Sequence, residues 1–151
     1  MHLYLDTCVL KRPFDRLDQP GVRLEAEAFL KLLAEIGAGN HSWTTSTVVV
    51  HENAANPVED RRKAAAAYLT RASQTISLTP SIQTRASRLH RAGLGALDAL
   101  HLACAEQARV DAFVTVDDQI LRFARRGSVR LRVKVSNPLD IVQTNGGPAH
   151  A

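Results

Sequence analysis

The sequence predicts an α/β domain built on a mostly parallel central sheet. Three observations predict it: short apolar runs alternate with longer amphipathic stretches, helix caps and breakers fall between them, and no repeat or low-complexity segment interrupts the series. Strands separated by helices imply parallel pairing with helices covering both faces. The 151 residues suit one domain, long enough to bury about two-thirds of the unfolded surface. It is placed at residues 1–143, with 144–151 as a flexible tail.

Taken in order, Leu3-Tyr4-Leu5 is a short strand buried on both faces, ending in Asp6. Apolar positions from Val22 to Ile36 follow helical spacing, and Gly37 and Gly39 close that helix. The stretch HSWTTSTVVVHENAANP is divided, despite its β-branched residues, into a strand over 43–45 and a helix capped by Ser46 that carries Glu52. Asn56-Pro57 and Thr79-Pro80 pair a cap with a proline in the first turn, each opening a helix. A strand is expected over 75–78 between them. Gly93 and Gly95 break the second of those helices, and LGALDALHLACAEQA forms the next. DAFVT is an apolar strand leading into a helix over 117–125, which Gly127 ends. VRLRVKV alternates strictly, as a half-exposed strand does, and Pro138 begins a short closing turn.

Composition narrows the function classes. Hydrophobic residues make up 45% and charged residues 23%, as in a soluble globular protein. No apolar run approaches the ~20 residues of a membrane span, and MHLYLDTC does not read as a secretion signal. Cys8 and Cys104 lack metal-type spacing and read as small reduced core residues, which suits a cytoplasmic protein. The net charge is +4, from 19 Lys and Arg against 15 Asp and Glu. Four acids committed to one site would leave a clearly basic remainder, compatible with a nucleic-acid partner.

The acids carry the functional signal. Function in open parallel sheets gathers at the carboxyl ends of strands, where Asp6 and Asp117 follow two separate apolar runs. Asp98 lies in the apolar half of its helix, and Glu52 is the only carboxylate between Glu35 and Glu59. Singly, Asp6 could turn the chain, Asp117 could cap its helix, Asp118 could replace it, and Asp98 could pair with His101. Together they would repel by about 4 kcal/mol per pair at close range and an effective dielectric near 20. A cation between the oxygens relieves that cost, and an all-oxygen donor set favours Mg²⁺ or Mn²⁺.

In this order, LYLDTCVL, STVVVHENA, LGALDALHLACA and FVTVDDQILRFA resemble the PIN domain, the nuclease family that includes the VapC-like toxins of toxin–antitoxin pairs. The resemblance covers roughly residues 2–142 and implies a three-layer α/β/α fold with an acidic pocket at the strand ends. It implies a Mg²⁺- or Mn²⁺-dependent endoribonuclease with Asp6, Glu52, Asp98 and Asp117 as catalytic and metal-binding acids. Thr7 and Thr115 match the hydroxyls that orient those carboxylates. It further implies an antitoxin partner and a homodimer. The alternative is a catalytically silent module of the same fold that binds RNA or a protein. RNA-binding candidates are Arg61, Arg62, Arg122, Arg125 and Arg126, with Arg85, Arg88, Arg91 and the cationic run Arg130, Arg132 and Lys134 also available. The run on 129–135 also reads as cations guarding an edge strand. His51 and His101 read as structural.

Overall fold

The computed structural model describes residues 1–146. Its centre is a five-stranded, all-parallel sheet in the order β3-β2-β1-β4-β5. The strands are β1 (His2–Leu5), β2 (Ser42–Ser46), β3 (Gln74–Ile76), β4 (Ala112–Val114) and β5 (Lys134–Ser136). Between them run α1 (Thr7–Lys11), α2 (Pro20–Gly37), α3 (Thr47–Ala54), α4 (Glu59–Leu69), α5 (Pro80–Arg91), α6 (Ala96–Gln107) and α7 (Asp118–Arg126), and α8 (Pro138–Gly146) follows β5.

The strand order creates the site. The chain moves outward from β1 through β2 to β3, then returns across the sheet to place β4 on the other side of β1. Right-handed crossovers in opposite directions put their helices on opposite faces, so the winding reverses between β1 and β4. The crevice at the carboxyl ends of two such strands is where open α/β sheets bind ligands. β1 and β4 pair through Leu3–Ala112, Tyr4–Phe113 and Leu5–Val114. Every one of these residues is fully buried, which is why both strands read as unbroken apolar runs. Tyr4 and Phe113 stack at 5.5 Å between ring centroids, and Trp43, Phe29 and Phe123 fill the rest of the core with the aliphatic residues.

The divided reading of residues 43–52 holds: β2 ends at Ser46, whose hydroxyl accepts the Val49 N–H to start α3. α1 and a 3-10 turn at Arg12–Phe14 were not foreseen, because five residues rich in β-branched and apolar types carry little helical signal. Several elements differ from the expectation. The strand expected over 75–78 is Gln74–Ile76. Asn56-Pro57 does not open α4, which starts at Glu59 behind Val58, because the Asn56 side chain accepts the Val58 N–H in the preceding loop. α2 starts at Pro20, and α8 is a helix rather than a closing turn. The alternating run at 129–135 becomes a strand only from Lys134. Upstream of it, the Arg132 N–H goes to the Glu106 carboxylate and the Arg130 carbonyl to Arg85, so those backbone groups are not in the ladder. Of the expected tail, residues 144–146 continue α8 and 147–151 lie outside the described residues. Cys8 and Cys104 are both free, and no described helix is long and apolar enough to cross a membrane.

Candidate active site

Asp6 stands where β1 becomes α1. Its backbone is still extended and its N–H pairs with the Val114 carbonyl, at 2.9 Å, extending the β1–β4 ladder by one step. Its side chain caps α1, Oδ1 accepting the Thr7 N–H at 2.8 Å. Oδ2 accepts the Thr115 hydroxyl at 2.8 Å and the Cys8 thiol at 3.3 Å. Thr115, fully buried one residue beyond β4, also accepts the Asp117 N–H at 3.0 Å. One hydroxyl therefore fixes Asp6 and the chain leading to Asp117 across 109 residues of sequence.

Asp117 is half-buried and caps α7, its Oδ1 accepting the Gln119 N–H at 2.8 Å. Asp118 is exposed, and it is Asp117 that acts electrostatically on Asp98.

Glu52 arrives from α3. Thr7 Oγ1 donates to Glu52 Oε1 at 2.5 Å, and His101 Nε2 lies 2.8 Å from the same oxygen. Burial pushes the Glu52 carboxyl up, but the His101 and Thr7 hydrogen bonds outweigh it and hold the group below the ordinary glutamate value. Behind His101, Nδ1 meets the Tyr4 hydroxyl at 2.9 Å, and that hydroxyl meets Ser46 Oγ at 2.7 Å. Burial drives the Tyr4 phenol well above its usual range, so it keeps its proton and can donate to Nδ1. Nε2, facing the Glu52 carboxylate, is then the ring's donor to it.

Asp98 differs from expectation in its setting. It lies in the first turn of α6, with Ala96 and Leu97 exposed, and is half-buried rather than embedded in an apolar face. It neighbours Gly95, where an added Cβ would make an ordinary 3.4 Å contact with Asp98 Oδ2. Burial, then repulsion from Asp6 and Asp117, raise the Asp98 carboxyl to about 6; His101 opposes them, and Glu52 adds a smaller push. The alternative pairing of Asp98 with His101 does not occur, since that ring turns to Glu52 and lies 4.0 Å from Asp6.

Three acids, Asp6 and Asp117 from the ends of β1 and β4 and Glu52 from α3, thus all act on Asp98 in α6. Among the described residues, no Lys or Arg forms an ion pair with any of them. Nor do three His, Cys, Asp or Glu side chains already stand in an arrangement that could hold a metal ion. The donor chemistry still fits a hard cation: the set is carboxylate oxygen, and Glu52, Asp98 and Asp117 are only half-buried. Mg²⁺ keeps several waters and binds through one or two carboxylates, so a closed protein cage is not required.

The PIN domain model matches residues 3–126. The chain belongs to the PIN domain family. No curated protein matches it. Among solved structures, this PIN domain is similar to a chain of VapBC2 from Rickettsia felis bound to a DNA fragment from their promoter. The TM-score is 0.60 at 17% identity, covering 91% of this chain and 98% of that one. It is also similar to a chain of VapBC-1 from nontypeable Haemophilus influenzae, with TM-score 0.57, 13% identity and coverage of 92% and 99%. At such identities the likeness is one of fold.

Sequence reasoning missed His101, Tyr4, Ser46 and Cys8 as parts of the site. A histidine three residues after Asp98 was the available signal, but sequence alone could not say that its ring would turn to Glu52. Of the arginine candidates, Arg62 bonds the Asn56 carbonyl at 3.0 Å and so ties the loop before α4. Arg61 is half-buried, whereas Arg122, Arg125 and Arg126 are exposed on α7, which Asp117 caps. His51 is exposed.

Proposed function

We propose that this PIN domain is a metal-dependent endoribonuclease and the toxin of a toxin–antitoxin pair. The observation that carries the reading is geometric: Thr115 ties Asp6 to the chain leading to Asp117 at the reversal of the sheet, Thr7 and His101 hold Glu52 beside them, and the charges of Asp6, Asp117 and Glu52 reach Asp98. PIN domains are nucleases, and VapBC chains share the fold. Asp6, Asp98 and Asp117 would hold Mg²⁺ or Mn²⁺, with Glu52 at a second ion or on the attacking water. Divalent ions at such sites activate water and neutralise charge on the attacked phosphate and the leaving oxygen.

The chain's own groups do the positioning. Thr115 and the Thr7 N–H fix both oxygens of Asp6. Thr7 and His101 hold Glu52 ionised, ready to accept a proton from water. Arg122, Arg125 and Arg126 would offset the repulsion between an acidic crevice and a phosphate backbone. An antitoxin would occupy the crevice in the resting state, and the protein would act in the cytoplasm as a homodimer.

The test is cleavage of a labelled RNA by purified protein with Mn²⁺, alongside Asp98→Asn. The variant should lose at least a hundred-fold in rate. Equal cleavage by both proteins would assign the activity to a contaminant and refute the reading.

A further inference from the structure

Two groups of arginines far apart in the sequence meet in one groove. Arg85, Arg88 and Arg91 recur every three residues along α5, and Arg130 and Arg132 lie on the segment before β5. A cavity of about 420 Å³ is bordered by Arg85, Arg88, Arg91 and Arg132, and a second, bordered by Arg85, Arg88, Arg130 and Arg132, continues it.

Glu106 builds this groove. Its side chain is 1% exposed and forms a two-pronged pair with Arg85: Nε to Oε1 at 2.7 Å and Nη2 to Oε2 at 3.1 Å. Glu106 Oε2 also accepts the Arg132 N–H at 2.8 Å, while Arg85 Nη2 donates to the Arg130 carbonyl at 2.8 Å. One buried acid thus fastens the segment 130–132 to α5 and spends its own charge on Arg85. Arg88, Arg91, Arg130 and Arg132 are exposed, and among the described residues none forms an ion pair. The pair Arg85–Glu106 being neutral together, the groove carries four unbalanced positive charges.

Guarding a sheet edge does not account for them, because residues 130–132 precede β5 and pair with no strand. A second copy docking by this face would bring the same arginines together across a two-fold axis. The groove has no aromatic lining on which bases could stack. Its direction is informative. α5 runs back along α6, with Ser81 beside Gln107 and His90 beside Leu94, so the arginines advance from Glu106 towards the end where Asp98 lies. Glu106 and Asp98 are eight helical residues apart, about 12 Å.

We infer that this groove binds the phosphate backbone of single-stranded RNA without reading its bases, holding the strand beside the acidic crevice. The inference rests on the ribonuclease reading for its substrate class. Planar guanidinium forks suit phosphate oxygens, and each contact made releases counterions.

The test uses fluorescence anisotropy of a labelled RNA oligonucleotide in EDTA, so that binding is read without cleavage, with DNA of the same sequence in parallel. Arg88→Glu with Arg91→Glu should weaken binding of both strands at least ten-fold. It should also flatten the slope of log affinity against log salt by about 1.4, two contacts at about 0.7 each. Arg88→Lys with Arg91→Lys should keep the wild-type slope, which a merely misfolded variant would not explain. Unchanged affinity and slope in the glutamate variant overturn the inference and leave the groove to an acidic protein surface. If the wild type binds through these arginines yet never cleaves with Mn²⁺, the hydrolase reading fails and the groove stands.

Discussion

Replacing Asp98 by asparagine should stabilise this protein near neutral pH and do nothing for it in acid. The Asp98 carboxyl is raised from 3.8 to about 6 by burial and by its acidic neighbours. A folded-state value above the unfolded one means that ionisation opposes folding. The penalty is absent below about pH 4, grows through the interval up to 6, and is complete above it. Its ceiling is about 3 kcal/mol, which the group's half-exposure reduces to about 1.5. The asparagine forgoes the attraction between a first-turn acid and the helix N-terminus, about 0.5 kcal/mol. A net gain of about 1 kcal/mol remains. Chemical denaturation in EDTA at about pH 7.5 and pH 4 measures it. Saturating Mg²⁺, at a hundred times its dissociation constant, should then add about 2.7 kcal/mol to the wild type and much less to the variant. A variant less stable than wild type at both pH values would show that the neighbouring acids do not repel Asp98, and the reasoning would fail.

Thr115→Val keeps the shape of the side chain but removes the hydroxyl on Asp6 Oδ2 and the acceptor for the Asp117 N–H. It should cost about 1–3 kcal/mol and lower cleavage more than RNA binding, as kcat and KM measured separately would reveal. Tyr4→Phe deletes the donor to His101 Nδ1; cleavage should fall at least several-fold, and nitrogen chemical shifts should report a changed His101 tautomer. Glu106→Ala strips Arg85 and the Arg132 N–H of their partner, and denaturation should show a loss of about 3 kcal/mol. Glu52 behaves oppositely to Asp98: held below its ordinary 4.5, it adds stability above that pH which is lost as pH falls through the lowered value. The stability difference between wild type and Glu52→Gln should therefore vanish in acid, which a pH series of denaturation curves checks.

The fold was legible where apolar runs and cap signals agreed. LYL and AFVT could be placed because both strands lie in the middle of the sheet, and Ser46 and Thr79 because each accepts the N–H three residues on. The segment 129–135 misled because its alternation is real, but the arginine backbone before Lys134 is claimed by α5 and α6, which no local pattern reveals. Within the site, the acids could be found as residue types at strand ends and in helices. Their partners could not, since the roles of Tyr4 and His101 depend on ring orientation across 97 residues of separation.

The reversal of the sheet also sets when the acidic site can be completed. β1 leaves the ribosome well before the neighbour that completes its far side, β4, which is more than a hundred residues later. Until that strand has emerged and docked, Asp6 lacks the threonine that orients it and Asp117 has no place to stand. The oriented arrangement of Asp6 and Asp117 is accordingly a late product of synthesis, whatever has folded before it.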